Sequence, residues 1–160
     1  MEKPEARSGI CCFTGHRPEK LKREESEILR LLEAEIKRAL SDGFTTFITG
    51  MAQGVDIWAG EIVLKLKERH PGLKLIAALP YPGCERRWRA AWKKRFANVA
   101  EKANQVISVS PAYSPGVYQK RDQWMVDHAQ LVIAVYDGAP GGTEDTIAHA
   151  KERGVEVRLL

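Results

Sequence analysis

The sequence predicts an α/β fold, a three-layer α/β/α sandwich in which one parallel sheet is covered by helices on both faces. Three observations predict it. Six short runs of apolar and β-branched residues recur along the whole chain, and near-continuous apolar character is what a strand buried on both faces requires. Longer stretches with apolar residues at helical spacing separate these runs. Strand–helix alternation returns the chain to the same end of the sheet each time, which makes the strands parallel. The 160 residues suit one domain, since domains commonly run about 100–150 residues. Residues 1–8, polar and without an apolar signal segment, read as a disordered lead-in to a single domain over 9–160.

Taken in order, the first strand is Ile10–Thr14, followed by a helix whose stripe is Ile28, Leu29, Leu32, Ile36, Ala39 and Leu40, stopped by Asp42-Gly43. The second strand is Thr45–Thr49. Its helix carries Trp58, Ile62, Val63 and Leu66 and ends at His70-Pro71-Gly72. Leu73–Leu79 is the third strand, with a helix over about Arg86 to Ala103. Gln105–Val109 is the fourth, with a helix over about Tyr118 to His128. Leu131–Tyr136 is the fifth, with a helix over about Thr143 to Arg153, and Val155–Leu159 closes the sheet. Ser110–Val117 is the one loop of some length, a candidate flap or lid.

Composition narrows the function classes. Hydrophobic residues make up 44% of the chain, enough for a sizeable core. No run of about 18 apolar residues marks a membrane span. Cys11 and Cys12 sit in a core strand and Cys84 in a loop; so sparse a set suits a reducing cytoplasm. The net charge is +4, yet residues 85–103 alone carry +5. One helix makes the protein basic, which turns a whole-surface nucleic-acid reading into a local one.

In an open α/β sheet, ligands bind beyond the carboxyl ends of the strands, and three such segments share a character. After the first strand, Thr14-Gly15-His16-Arg17-Pro18 allows close backbone approach and supplies side-chain donors; a simple turn with a solvated arginine is the plainer alternative. After the second, Gly50-Met51-Ala52-Gln53-Gly54 opens a helix, a turn able to cradle an anion on main-chain N–H groups. Asp56 either complements the helix dipole or holds ribose hydroxyls. After the fifth, Asp137-Gly138-Ala139-Pro140-Gly141-Gly142-Thr143 again opens a helix, with Thr143 a natural N-cap whose hydroxyl could reach a phosphate. Neither GxGxxG, GxxxxGK[ST] nor GxSxG is present. Jointly the three turns favour anion binding.

These residues, together with Arg121-Asp-Gln-Trp-Met-Val-Asp and Val132-Ile-Ala-Val-Tyr-Asp-Gly, resemble the YpsA-like family, a bacterial branch of the SLOG superfamily, over roughly residues 9–154. The resemblance implies a Rossmann-like fold with six parallel strands in the order 3-2-1-4-5-6 and a nucleotide pocket. Thr49–Asp56 is also similar to the SGxARGID stretch of DprA, which binds single-stranded DNA, with Gln53 in place of the arginine. Arg121 and Gly141-Gly142-Thr143 look like the Lonely Guy phosphoribohydrolases, relatives of the lysine-decarboxylase-like proteins. There the arginine and a glutamate are catalytic. Here Thr146 stands where that glutamate would be, with Glu144 and Asp145 beside it.

Trp88, Trp92 and Phe96 are four residues apart on the basic helix. They read as a core-facing stripe, with base stacking the alternative. His16, His70, His128 and His149 show no ligand spacing, so no metal is expected. Cys84 is a spectator thiol or, beside Arg86 and Arg87, a reactive one.

The sequence therefore leads to a nucleotide or phosphoribosyl-type ligand bound at the strand ends, in a sensory or regulatory role. The expected contacts are Thr14, Gly15, His16, Arg17, Gly50, Met51, Ala52, Gln53, Gly54, Asp56, Arg121, Asp137, Gly138, Gly141, Gly142 and Thr143. Hydrolysis of an N-glycosidic bond through Arg121 and single-stranded DNA binding stay open as alternatives. No cofactor is required and a bound nucleotide is the expected ligand. No membrane contact is expected, and a homo-oligomer or an acidic protein partner for the basic helix remains open.

Overall fold

Strand side chains alternate between two cores, so both helical layers can be read from β1 (Ile10–Gly15). A computed structural model describes residues 9–160; the lead-in reading for 1–8 lies outside the described residues. After β1 come α1 (Glu25–Ser41), β2 (Thr46–Thr49), α2 (Val55–Lys67), β3 (Lys74–Leu79) and α3 (Ala90–Lys102). Then follow β4 (Gln105–Ser108), α4 (Val117–Asp127), β5 (Leu131–Val135), α5 (Gly142–Glu152) and β6 (Glu156–Leu159). Cys11 and Phe13 pack with Ile28 and Leu32 of α1, Ile57 and Val63 of α2, and Phe96 of α3. Cys12 points the other way, into a core with Val126 of α4 and Ile147 of α5. The adjacent cysteines thus lie on opposite faces of the sheet, fully buried, where burial holds both thiols protonated.

All six strands are parallel, as expected, and the sheet order is β4-β3-β2-β1-β5-β6. Relative to 3-2-1-4-5-6, β4 lies outside β3 rather than between β1 and β5. Burial accounts for the difference. Leu-Val-Ile-Ala-Val of β5 is buried at every position, whereas Gln105, Val106 and Ser108 of β4 are exposed. Placing β4 at the centre would strip water from Gln105 and Ser108, and polar groups favour an edge. β5 pairs with β1 instead, from Cys11↔Leu131 to Gly15↔Val135. The chain reverses direction across the sheet between β1 and β5, and the crevice at such a reversal is where ligands bind.

The third helix begins at Ala90, later than its apolar spacing suggests. Residues 83–88 form turns instead, with Arg86 N–H donating to the Gly83 carbonyl at 3.0 Å and Trp88 N–H to the Glu85 carbonyl at 3.0 Å. Trp88 therefore precedes the helix, but its ring still meets Phe96 edge-on at 5.5 Å. Trp92 packs 6.4 Å from the buried Trp58. The stripe faces the core. In the 110–117 loop Tyr113 is 62% exposed, and its ring meets Tyr81 edge-on at 5.8 Å. Among the described residues no helix is long and apolar enough to cross a membrane.

Candidate functional site

One cleft opens over the carboxyl ends of β1, β2 and β5, and all the expected contacts line it except Gly54, Asp137 and Gly138. Those three have other tasks. Gly54 is in the left-handed region (φ +93°) as the residue before α2, and a Cβ there would lie 2.8 Å from Pro18 Cδ. Asp137 accepts from Arg23 Nε at 2.9 Å and from the Lys22 N–H at 3.1 Å, so it ties the entry of α1 to the sheet. Gly138 (φ +90°) turns the chain on the exposed side of that contact.

The glycines differ in what they do. A Cβ on Gly15 would stand 2.5 Å from Val55 Cβ, so the close approach it permits is that of α2 to the strand end. A Cβ on Gly50 would lie 2.8 Å from Asp56 Oδ2 and 2.9 Å from Arg121 Cζ, so this glycine makes room for the cleft floor. At Gly141 and Gly142 a Cβ would meet nothing closer than Asp122 Oδ2 at 3.8 Å. That space is open to a ligand.

Two helices begin here without side-chain caps. Gly141, not Thr143, is the N-cap of α5; Thr143 is the second helical residue, buried, and its hydroxyl has no partner among the described residues. The N–H groups of Gly142, Thr143 and Glu144 belong to the first turn of α5 and have no carbonyl four residues back to reach. At α2 the situation is mixed. The Met51 N–H donates to Thr49 Oγ1 and the Ala52 N–H to Asp56 Oδ2, both at 3.3 Å. Those two amides are taken, while those of Gln53 and Gly54 have no acceptor among the described residues. Met51 itself sits at φ +64° although it is not glycine, a backbone strain that clusters at functional turns.

Side chains complete the lining. His16 is 5% exposed, its Nε2 has no partner, and burial lowers its pKa, so the cleft holds a neutral imidazole. Arg17 and Lys20 stand exposed at the rim. Arg121, 5% exposed, forms the floor rather than the rim. Its Nη1 donates to the carbonyls of Gly50 and, at 3.3 Å, Ala78; its Nε donates to Asp122 Oδ1 at 2.8 Å. Asp56 lies beside it, and burial pushes its carboxyl up to about 7 against the pull of Arg121, with Asp122 adding to the rise. Asp122 is raised by burial too.

Sequence reasoning missed Phe13, Lys20, Pro80, Cys84, Trp88, Tyr118 and Asp122. Pro80 and Cys84 follow β3, so the strand-end rule that found the other turns applied to them as well. Asp122 gave no signal beyond standing next to Arg121. Cys84 is half-buried and its thiol is pushed up to about 11, which makes it an inert neighbour. Of the residues at the hydrolase-like positions, Thr146 donates to the Gly142 carbonyl at 2.8 Å and Glu144 accepts from Tyr136 at 2.7 Å.

The raised carboxyl of Asp56 has a consequence for stability. A buried acid with a folded pKa above its unfolded one stabilises the fold fully below about pH 4, and that contribution is lost as pH rises through about 7. Between pH 5 and pH 8 the loss is expected to be about 2–3 kcal/mol. Thermal unfolding across that range checks it, and Asp56→Asn should shrink the slope. A midpoint that rises with pH would contradict the assignment.

A model of the YspA SLOG family (YpsA) matches residues 11–156. The chain is 36% identical over 118 residues to the SPbeta prophage-derived protein YoqJ of Bacillus subtilis, covering 66% of this chain and 69% of that protein. It is 28% identical over 129 residues to a UPF0398 protein of Halalkalibacterium halodurans, with 79% and 68% covered. Among solved structures, TM1055 superposes with a TM-score of 0.59 at 18% identity, over 92% of this chain and 71% of that one. DprA from Streptococcus pneumoniae gives 0.52 at 13% identity, over 93% and 58%. At these identities the two structures share the fold.

Proposed function

Since the chain belongs to the YspA SLOG family, we propose that it binds a nucleotide or phosphoribosyl-type ligand in the cleft, in a sensory or regulatory role. One observation carries the reading: uncapped N–H groups at the starts of α5 and α2 border the same cleft as an unpartnered, buried His16 Nε2. Helix-start amides favour an anion, and a buried nitrogen without a partner is costly until a ligand supplies one. Phosphate sits on Gly142 and Thr143, with the Thr143 hydroxyl and Arg17 as further donors. Tyr118 and Trp88 offer aromatic surface for a base.

Binding is preferred to hydrolysis because Arg121 is occupied with main-chain carbonyls and Asp122, while Thr146 puts a hydroxyl at the hydrolase glutamate's position. It is preferred to single-stranded DNA binding because Phe96 is buried, Trp92 packs on the buried Trp58, and Arg95 is locked to Glu61 at 2.6 Å.

Thermal shift with AMP and with adenosine tests the reading. AMP at about 100 times its Kd should add about 2.7 kcal/mol, a rise of roughly 5–10 °C for a chain of this size. Adenosine, lacking phosphate, should add far less. Gly142→Asp keeps an acid in the first turn, which helices tolerate, but places a carboxylate where the phosphate sits and should abolish the shift. An adenosine shift equal to that of AMP, or an unchanged shift in Gly142→Asp, would refute the phosphate assignment.

A further inference from the structure

A second cavity lies between α4 and α5, walled by Gln119, Gln123, Asp145 and His149, and it shares Tyr118, Asp122 and Gly142 with the main cleft. The two are comparable in size, about 230 and 240 Å³. Gly142 stands where they meet. A Cβ there would find only Asp122 Oδ2 at 3.8 Å, and one at neighbouring Gly141 would find nothing within 4 Å. Two consecutive residues without side chains put no Cβ at the turn where the two cavities share their lining.

We propose that the α4–α5 cavity is the second arm of one site, and that the ligand carries a nucleoside on each side of its phosphates, as a diphosphate-bridged dinucleotide does. This inference rests on the phosphate reading above and extends it. A mononucleotide placed at Gly142 and Thr143 fills one arm and leaves the other to water. The second arm has the chemistry of a nucleoside pocket. Gln119 and Gln123 have no hydrogen-bonding partner among the described residues, and each amide offers a donor and an acceptor to a base edge, a geometry that suits adenine. Tyr118 presents a ring on the shared wall, 41% exposed. The Asp122 carboxylate, held by Arg121 Nε at 2.8 Å, faces both arms and can accept from sugar hydroxyls.

The test compares ADP with diadenosine diphosphate, in which a second adenosine esterifies the terminal phosphate and removes one of its negative charges. Calorimetry on the full chain should show the dinucleotide bound at least about tenfold more tightly. Gln123→Ala combined with Asp145→Ala, both exposed positions, should bring the dinucleotide to within about twofold of ADP and leave ADP itself unchanged. Equal affinities in the wild type would overturn the two-armed site and leave the phosphate reading standing. A dinucleotide preference that survives the double variant would also overturn it, because the second adenosine would then lie elsewhere. Failure of both ligands to bind would remove this inference together with the reading it rests on.

Discussion

Replacing Arg121 with alanine is expected to cost about 3–5 kcal/mol of stability, the range for breaking a buried ion pair by removing one partner. The guanidinium is 5% exposed and joins three elements: the Gly50 carbonyl after β2, the Ala78 carbonyl of β3, and Asp122 on its own helix. Alanine would leave two carbonyls and two raised carboxyls, Asp56 and Asp122, without their cation. For a chain of this size the unfolding midpoint should fall by roughly 10 °C. Part of the loss should return at low pH, because protonating Asp56 and Asp122 removes the uncompensated charge. Denaturant unfolding at pH 5 and pH 8 measures both effects. A loss below about 1 kcal/mol would mean that the guanidinium is solvated rather than holding the floor. Because the residue is structural, loss of ligand binding in Arg121→Ala says nothing about contact with the ligand. Binding variants belong at Thr143 and Arg17.

What was legible in the sequence follows the range of the interactions. Strand positions were legible because burial on both faces demands apolar runs, and the turns at Gly50 and Gly141 because glycine at a strand end is a local signal. The place of β4 was not legible from alternation alone, since strand order depends on which strand can afford to be central. The comparison of Gln-Val-Ile-Ser in β4 with Leu-Val-Ile-Ala-Val in β5 contains the answer once both are weighed for burial. Asp137 looked like a ligand contact because its partner, Arg23, lies 114 residues earlier in the chain. Arg121 looked like a catalytic or phosphate-binding side chain for the same reason: the carbonyls it holds come from β2 and β3 and cannot be foreseen from its neighbours.

The glycines show the same division. Gly142 serves an open space, whereas Gly15 and Gly50 serve contacts with other parts of the protein, and sequence alone gives all three the same appearance. In the proposed reading, phosphate recognition rests on main-chain amides, one threonine hydroxyl and the rim cation Arg17 rather than on a buried cation. The floor holds two raised carboxyls around Arg121, whose guanidinium is turned to main-chain carbonyls and Asp122. Lowering the pH through the Asp56 range makes the floor more positive and should not weaken anion binding.

Gly15→Ala is expected to be nearly as damaging as the loss of Arg121, for a different physical reason. Gly15 lies outside the left-handed region, so alanine meets no backbone strain. The cost is contact alone. The new Cβ would lie 2.5 Å from Val55 Cβ and Cγ2 and 2.7 Å from Cγ1, far inside the 3.5–4.0 Å at which carbon atoms attract. The clash can be relieved only by moving the first residue of α2 away from β1, and overpacking of this kind costs about 3 kcal/mol or somewhat less. The same movement carries the Gln53 amide away from the cleft, so AMP affinity should fall as well, at a temperature where the variant is still folded. The choice of second substitution makes the test specific. Val55→Ala keeps the offending Cβ and should not rescue Gly15→Ala. Val55→Gly removes it and should recover more stability than adding the two single effects allows, a coupling of about 1–3 kcal/mol between touching residues. Strict additivity of Gly15→Ala and Val55→Gly would show that α2 is not seated on β1 through this pair.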